Sequence, residues 1–246
     1  MKTITSVQNN EIQDITQLIH PSERKRKKRF IVEGFRAIET FVKAGHTPVQ
    51  LYILENKLTE AKTLVDVSII TMVNESVLNR ISQTSTPSGF VAVFKIPASP
   101  KLELEPGLVL ANISDPGNMG TLIRTCAAMG KKSVVIIEGA DVWSPKVIQA
   151  SAGTLALVKI FSCSWQDLVK NKKDLVLTGL VVTGGKKPEE ANLTKALLVV
   201  GSEAHGIPHE WLADCDELVT LPMPGETESL NAAVAGSIAL YLAWNK

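Results

Sequence analysis

Short apolar runs and segments of helical spacing alternate along the first part of the chain. Residues 30–32, 50–54, 69–73 and 89–94 read as strands of β-branched and aromatic side chains. Residues 36–44, closed by Gly45, and a stretch near 59–64 carry the spacing of amphipathic helices. The pattern breaks at PASPKLELEPG, where three prolines and a glycine punctuate residues 97–107. Beyond it the alternation is steadier. Strands are expected at 108–112, 133–137, 155–161, 176–182 and 196–200, with helices at 118–129, 145–151, 165–171 and 229–244 and a short one behind Pro208. Strands alternating with helices imply a mostly parallel sheet covered on both faces. Two domains follow: a small α/β domain over 1–97 and a larger α/β domain over 107–246, joined by a linker at 98–106.

Composition leaves that picture in place. Hydrophobic residues make up 45% and charged residues 21% of 246, an ordinary globular balance able to bury a core without staples. No apolar run has the length of a membrane helix, and the opening MKTITSVQNNEIQD lacks the apolar stretch of a signal peptide, so a cytoplasmic protein is expected. Cys126, Cys163 and Cys215 form no Cys-x-x-Cys pair, and His205 and His209 are separated by a Gly-x-Pro break. Neither a disulfide framework nor a metal site is expected.

Charge adds one feature. The net charge of +1 hides an asymmetry, with 13 Lys and Arg against 9 Asp and Glu in residues 1–97, and the reverse sign beyond. Much of the excess lies in six consecutive cations, Arg24, Lys25, Arg26, Lys27, Lys28 and Arg29. Such a run is a solvated helix face, a disordered stretch or a contact for RNA phosphates.

Three loops carry candidate chemistry. NISDPGNMGT at 112–121 follows a strand and opens a helix, with Asn118 and Thr121 as candidate caps. Strand, glycine loop, helix, strand and then Glu138 is also the layout of a Rossmann dinucleotide site. Gly117 and Gly120, however, are spaced G-x-x-G rather than G-x-G-x-x-G, and on spacing alone that reading stays open. GSEAHGIP at 201–208 places two glycines around a glutamate behind a buried strand, as a ligand crevice or as a tight turn with Ser202 capping a helix. LPMPGETESLN at 221–231 opens the last helix with Ser229 as a candidate cap. That helix is rich in Ala, Gly and Ser, which suits close packing on another element or subunit.

Together the loops read N-x-x-D-P-x-N-x-G-x-x-x-R, V-G-S-E-x-x-G-I and L-P-M-x-G-x-x-E-S-L-N-x-x-x-A. In this order they resemble the SpoU/TrmH ribose methyltransferases of the SPOUT superfamily, over residues 107–246. The front half is similar to that family's ribosomal-protein-like RNA-binding domain, through RFIVEGFR at 29–36 and TPSGFVAV at 86–93. The resemblance implies a C-terminal SPOUT domain with a parallel sheet and a deep trefoil knot, which no pattern argument would supply. It further implies S-adenosylmethionine held by Val200, Gly201, Leu221, Met223 and Leu230, and a homodimer with the last helix near its interface. Methyl transfer to a ribose 2′-hydroxyl of structured RNA is implied around Arg124, with Asn112, Asn118, Glu203, Ser229 and Asn231 in support.

A 2′-hydroxyl is a weak nucleophile, so it must be held in line and lose its proton as the bond forms. A guanidinium rarely gives up its own proton. Arg124 is therefore expected to fix a phosphate and stabilise negative charge on the oxygen rather than act as the base. Glu203 is expected either to orient Asn112 or Arg124 or to touch substrate. One departure from the family's habit is Ala232-Ala233, where a hydroxyl is common at the second position. Ribosomal RNA is the favoured substrate, with transfer RNA the alternative. Base methylation on the same fold, an inactive binding protein and a Rossmann oxidoreductase are the further readings.

Overall fold

The computed structural model describes residues 1–244. They divide into two compact units, the first comprising 1–97 with 141–156 and the second 98–140 with the chain from 157 onward. The sequence pattern places the boundary at the proline-rich linker; the fold also assigns 141–156 to the first unit.

The first unit begins with β1 (Lys2–Ile4), α1 (Asn10–Thr16), α2 (Pro21–Lys27), β2 (Arg29–Glu33) and α3 (Phe35–Lys43). It continues with β3 (Gln50–Ile53), α4 (Leu58–Ala61), β4 (Ile70–Val73), α5 (Glu75–Ile81) and β5 (Phe90–Lys95). The strands form one mixed sheet in the order β1-β4-β3-β5-β2, with β5 antiparallel to both neighbours. Alternation along the strands builds two faces. Ile31, Tyr52, Val91 and Val93 pack with Ile12 and Ile15 of α1 and Val77, Leu78 and Ile81 of α5. Phe30 and Phe94 point the other way, stacked on each other with Phe41 of α3 tilted against both.

The chain then enters the second unit through β6 (Gly107–Ala111), α6 (Pro116–Ala128) and β7 (Ser133–Ile137). Its next stretch returns to the first unit, carrying α7 (Pro145–Ala150) and setting Trp143 on Phe30, ring centres 4.9 Å apart. The second unit resumes with β8 (Lys159–Ser162), α8 (Trp165–Asn171), β9 (Val176–Leu180), β10 (Ala196–Val200), α9 (His209–Leu212), β11 (Glu217–Val219) and α10 (Ala232–Trp244).

These strands form a six-stranded parallel sheet in the order β11-β9-β10-β6-β7-β8. The runs GLVLA, SVVII and ALLVV are buried at every position because both faces are covered. On one face Val109, Val135, Leu177 and Val199 pack with Trp165 and Leu168 of α8. The other face takes α6 and α10. Gly236 of α10 lies so close that an added Cβ would stand 2.4 Å from Leu122 Cδ2 and 2.9 Å from Val200 Cγ2. The small residues of the last helix thus pack against neighbouring elements of the same unit.

Two expected elements shift. The apolar stretch 155–161 is a 3-10 turn at Thr154–Leu157 followed by β8 at Lys159–Ser162. The last helix starts at Ala232 rather than at residue 229. No helix among the described residues is long and apolar enough to cross a membrane.

Candidate active site

A cavity of about 500 Å³ opens at the C-terminal ends of β9 and β10, where crevices form in parallel sheets. Leu180, Val181 and Val182 line it from the end of β9, and Val200 from the end of β10. The loop behind β10 is a tight turn in which Ser202 and Gly206 exchange backbone hydrogen bonds of 3.1 and 2.9 Å. Ser202 Oγ accepts from His205 N at 3.2 Å and so closes the turn rather than capping a helix, the next helix starting at His209 behind Pro208. Only glycine fits at 201, since a Cβ there would lie 2.2 Å from the carbonyl carbon of Gly206. The far wall comes from Leu221, Met223, Ser229, Leu230, Asn231 and Ala232.

All five residues expected around the cofactor, Val200, Gly201, Leu221, Met223 and Leu230, therefore share one cavity with Glu203, Ser229 and Asn231. The lining is mixed. Aliphatic side chains suit a flat heterocycle, while Glu203, Ser202, Ser229 and loop backbone groups suit hydroxyl, amino and carboxylate functions. Its size and donor set fit S-adenosylmethionine.

The first motif loop joins this wall through side chains. Asn118 Nδ2 donates to Glu203 Oε1 at 2.7 Å, and Asn231 Nδ2 donates to Asn118 Oδ1 at 3.1 Å. Ser114 Oγ approaches Glu203 Oε2 at 3.5 Å, the long limit for such a contact. Asn231 Oδ1 accepts from the backbone of Ala233 and Val234 at 2.9 and 3.2 Å, so the chain of bonds ends on the N-terminus of α10. Each amide is thereby oriented at both ends.

Three details correct the sequence reading. Asn231, not Ser229, caps the last helix, which leaves the Ser229 hydroxyl exposed on the cavity wall. Asp115, rather than Asn118 or Thr121, caps α6, its carboxylate accepting from Asn118 N at 2.7 Å with Pro116 in the first turn. An Asp-Pro pair before an apolar run is a helix-start signal that could have identified it. Glu203 binds Asn118 and reaches neither Asn112 nor Arg124 by a hydrogen bond.

Asn112 and Arg124 stand outside the cavity lining. Asn112 takes a left-handed backbone (φ 58°) while its N–H donates to Ile137 O at 2.9 Å, turning the chain sharply out of β6. Arg124 is exposed on α6. Ser114, Leu180 and Val182 also belong to the site's surroundings without having been singled out in the sequence, and His205, weighed there only as a metal ligand, lines the cavity. Leu180 and Val182 had a signal, since they end a strand beside the strand that opens the glycine loop. The Ala232-Ala233 departure falls at the cavity edge: Ala232 lines it, and Ala233 is a buried residue of the first turn of α10.

In the first unit the basic run divides. Arg24 is 2% exposed: Nε and Nη2 meet Asp141 Oδ2 at 2.8 and 2.7 Å, and Nη1 donates to Leu18 O at 2.7 Å. Lys27 binds Asp14 at 2.6 Å and Gln17 at 2.8 Å. Arg26 pairs with Glu23 on the surface, while Lys25 and Lys28 are exposed and Arg29 half-buried.

Comparison with known proteins identifies the family. Residues 106–241 match the SpoU rRNA Methylase family, and residues 9–92 match the MRM3-like substrate binding domain. The chain is 28% identical to a 23S rRNA guanosine 2′-O-methyltransferase of Bacillus subtilis, covering 98% of both chains. It is 30% identical to a 23S rRNA uridine 2′-O-methyltransferase of Streptomyces viridochromogenes, over 89% of this chain and 84% of that one. The AdoMet-bound rRNA methyltransferase of Sinorhizobium meliloti superposes with a TM-score of 0.88 at 26% identity, covering 98% of this chain and 97% of that chain. The chain belongs to the SpoU rRNA methylase family.

Proposed function

We propose that this protein transfers a methyl group from S-adenosylmethionine to a ribose 2′-hydroxyl of ribosomal RNA. The observation that carries the reading is the single cavity built from the second and third motif loops, with the first motif loop bonded to its wall through Asn118. S-adenosylmethionine supplies a methyl made electrophilic by its sulfonium centre. In this reading Leu180, Val200, Leu221, Met223 and Leu230 hold its apolar surface, and the backbone around Gly201 and the Glu203 side meet its polar groups.

The chain's own residues then deal with the nucleophile. Asn118, fixed between Glu203 and Asn231, orients the ribose, and the exposed Ser229 hydroxyl or the substrate phosphate relays the 2′ proton to solvent as the oxygen takes the methyl. Arg124, exposed and held by no hydrogen bond or ion pair among the described residues, is available to grip the phosphate beside that ribose and to stabilise charge on the 2′ oxygen. Arg124→Lys is expected to cut kcat/KM at least 10-fold, because lysine is a point donor without the planar fork. Near-normal turnover would remove the guanidinium from the mechanism.

Two further parts belong to the same proposal. The chain leaves β11, forms the cavity wall through 221–231 and returns as α10 against α6, the course on which the family's trefoil knot would be tied. Along α10, Val234, Ile238, Tyr241 and Trp244 stand 47%, 41%, 52% and 59% exposed at helical spacing, a stripe suited to a homodimer. Light scattering on the purified chain reads that state directly. A cytoplasmic location is the corresponding expectation for an enzyme of ribosomal RNA.

The test is methyl transfer from radiolabelled S-adenosylmethionine to total RNA from a strain lacking the gene, followed by nuclease digestion. Label in a nuclease-resistant dinucleotide of 23S RNA is the expected result. Label on a base, or in transfer RNA alone, would overturn it.

A further inference from the structure

Within the first unit, the acids on α1 and α2 are already engaged. Glu11 takes Tyr52 Oη at 2.6 Å and Lys2 Nζ, Asp14 takes Lys27, and Glu23 takes Arg26 and Lys27. No ion pair forms at Lys25, Lys28, Arg29 or Lys95 among the described residues. Two of these four stand opposite each other: Arg29 of β2 is the register partner of Lys95 of β5. Ile96 N donates to Lys28 O at 2.9 Å, and Gly34 N donates to Phe90 O at 3.0 Å. The bonded pairs of this ladder therefore fall on the even-numbered residues of β2, and Arg29/Lys95 is a non-bonded pair. That is the type in which opposing side chains come closest.

Two cations directly opposite on a ladder repel each other, and a sheet would normally place an acid at one of them. Here the next residue along, Lys28, adds a third charge on a left-handed backbone (φ 48°). Arg24 and Lys27, by contrast, anchor α2 and leave its free charges at this end of the sheet.

We infer that Arg29 and Lys95 form a clamp for one backbone phosphate of the RNA substrate, with Lys28 as a flanking contact. This rests on the reading of the protein as an RNA methyltransferase. It adds Lys95 to the RNA-binding surface and removes Arg24 and Lys27 from it. A phosphate between the two side chains turns their repulsion into two charge-assisted hydrogen bonds, arginine supplying the fork and lysine the point charge.

The signature is a pair of opposite effects. In the full-length protein, Lys95→Gln and Arg29→Gln each relieve the repulsion, so the RNA-free protein melts about 1 °C higher at low salt. Each also weakens binding of deproteinised 23S RNA from the deletion strain several-fold. The salt dependence, log Kd against log salt, becomes shallower in each variant, and by about 0.7–0.9 when both cations are replaced, the share of one phosphate contact. KM for RNA rises while kcat and affinity for S-adenosylmethionine hold. Lys43→Gln, on α3 and paired with Glu39, serves as the control. Unchanged RNA affinity and slope in both variants, with the wild type binding normally, would overturn the clamp. A wild type that binds S-adenosylmethionine but holds no RNA would instead overturn the reading beneath it, and the clamp with it.

Discussion

Replacing Arg24 separates two roles for the basic run. As an RNA contact, Arg24→Ala would lower affinity and leave the fold alone. The structure assigns it the other role. Its guanidinium is 2% exposed and makes two bonds to Asp141 and one to Leu18 O. Removing one partner of a buried ion pair costs about 3–5 kcal/mol. The Asp141 side chain is 31% exposed and regains water, which places the loss near the lower end, at about 3 kcal/mol. For a chain of this length that lowers Tm by roughly 6–12 °C. Differential scanning calorimetry with and without S-adenosylmethionine is the measurement, with Lys25→Ala as the exposed comparison, expected to fall within about 0.5 kcal/mol of wild type. An Arg24→Ala protein melting within about 2 °C of wild type while losing RNA affinity would refute the structural assignment.

Other perturbations read other parts of the molecule. Gly236→Ala should lower stability by about 1–2 kcal/mol although alanine is the better helix former, because its Cβ overlaps the buried Leu122 and Val200 side chains. Since Val200 lines the cavity, calorimetric titration should also show weaker S-adenosylmethionine binding; a stabilised variant with unchanged affinity would contradict this packing. Glu203→Ala frees the Asn118 amide and should reduce methyl transfer about 10- to 100-fold with little change in Tm; an unaltered single-turnover rate would take Glu203 out of the positioning network. Burial pushes the Cys126 thiol up to about 12, against a small opposing pull from Lys131, so its thiolate fraction at neutral pH is negligible. Iodoacetamide should label Cys126 only after unfolding, and mass spectrometry of native protein showing early alkylation there would contradict its burial.

Much of the fold was written in local pattern. Strands at 133–137 and 196–200 and a helix at 165–171 follow from apolar runs and spacing, and the structure places them at the same residues. Such elements are fixed by neighbours a few residues away, the range over which periodicity acts. The elements missed in the first unit include the seven-residue helices α1 and α5 as well as β1. The three residues of β1 have little pattern of their own and exist because they pair with β4. The 3-10 turn within 154–157 likewise interrupts an apolar stretch that composition reads as continuous.

The site was legible in its residue types and not in its wiring. The second and third motifs supplied Val200, Gly201, Glu203, Leu221, Met223, Ser229, Leu230 and Asn231, and the fold brings all eight to one cavity, while Asn112 and Arg124 of the first motif stay outside its lining. Which side chain binds which was decided in three dimensions: Asn118 reaches Glu203 across 85 residues and Asn231 across 113. The same holds for the basic run. Six adjacent cations look equivalent along the chain, yet Arg24 finds Asp141 at a separation of 117 residues, while Arg29 finds only another cation opposite. Sequence determined the supply of charge and the places where helices and strands begin. Tertiary structure determined which charges are spent on the fold and which remain for a ligand, because burial and partnership depend on atoms the local chain does not contain.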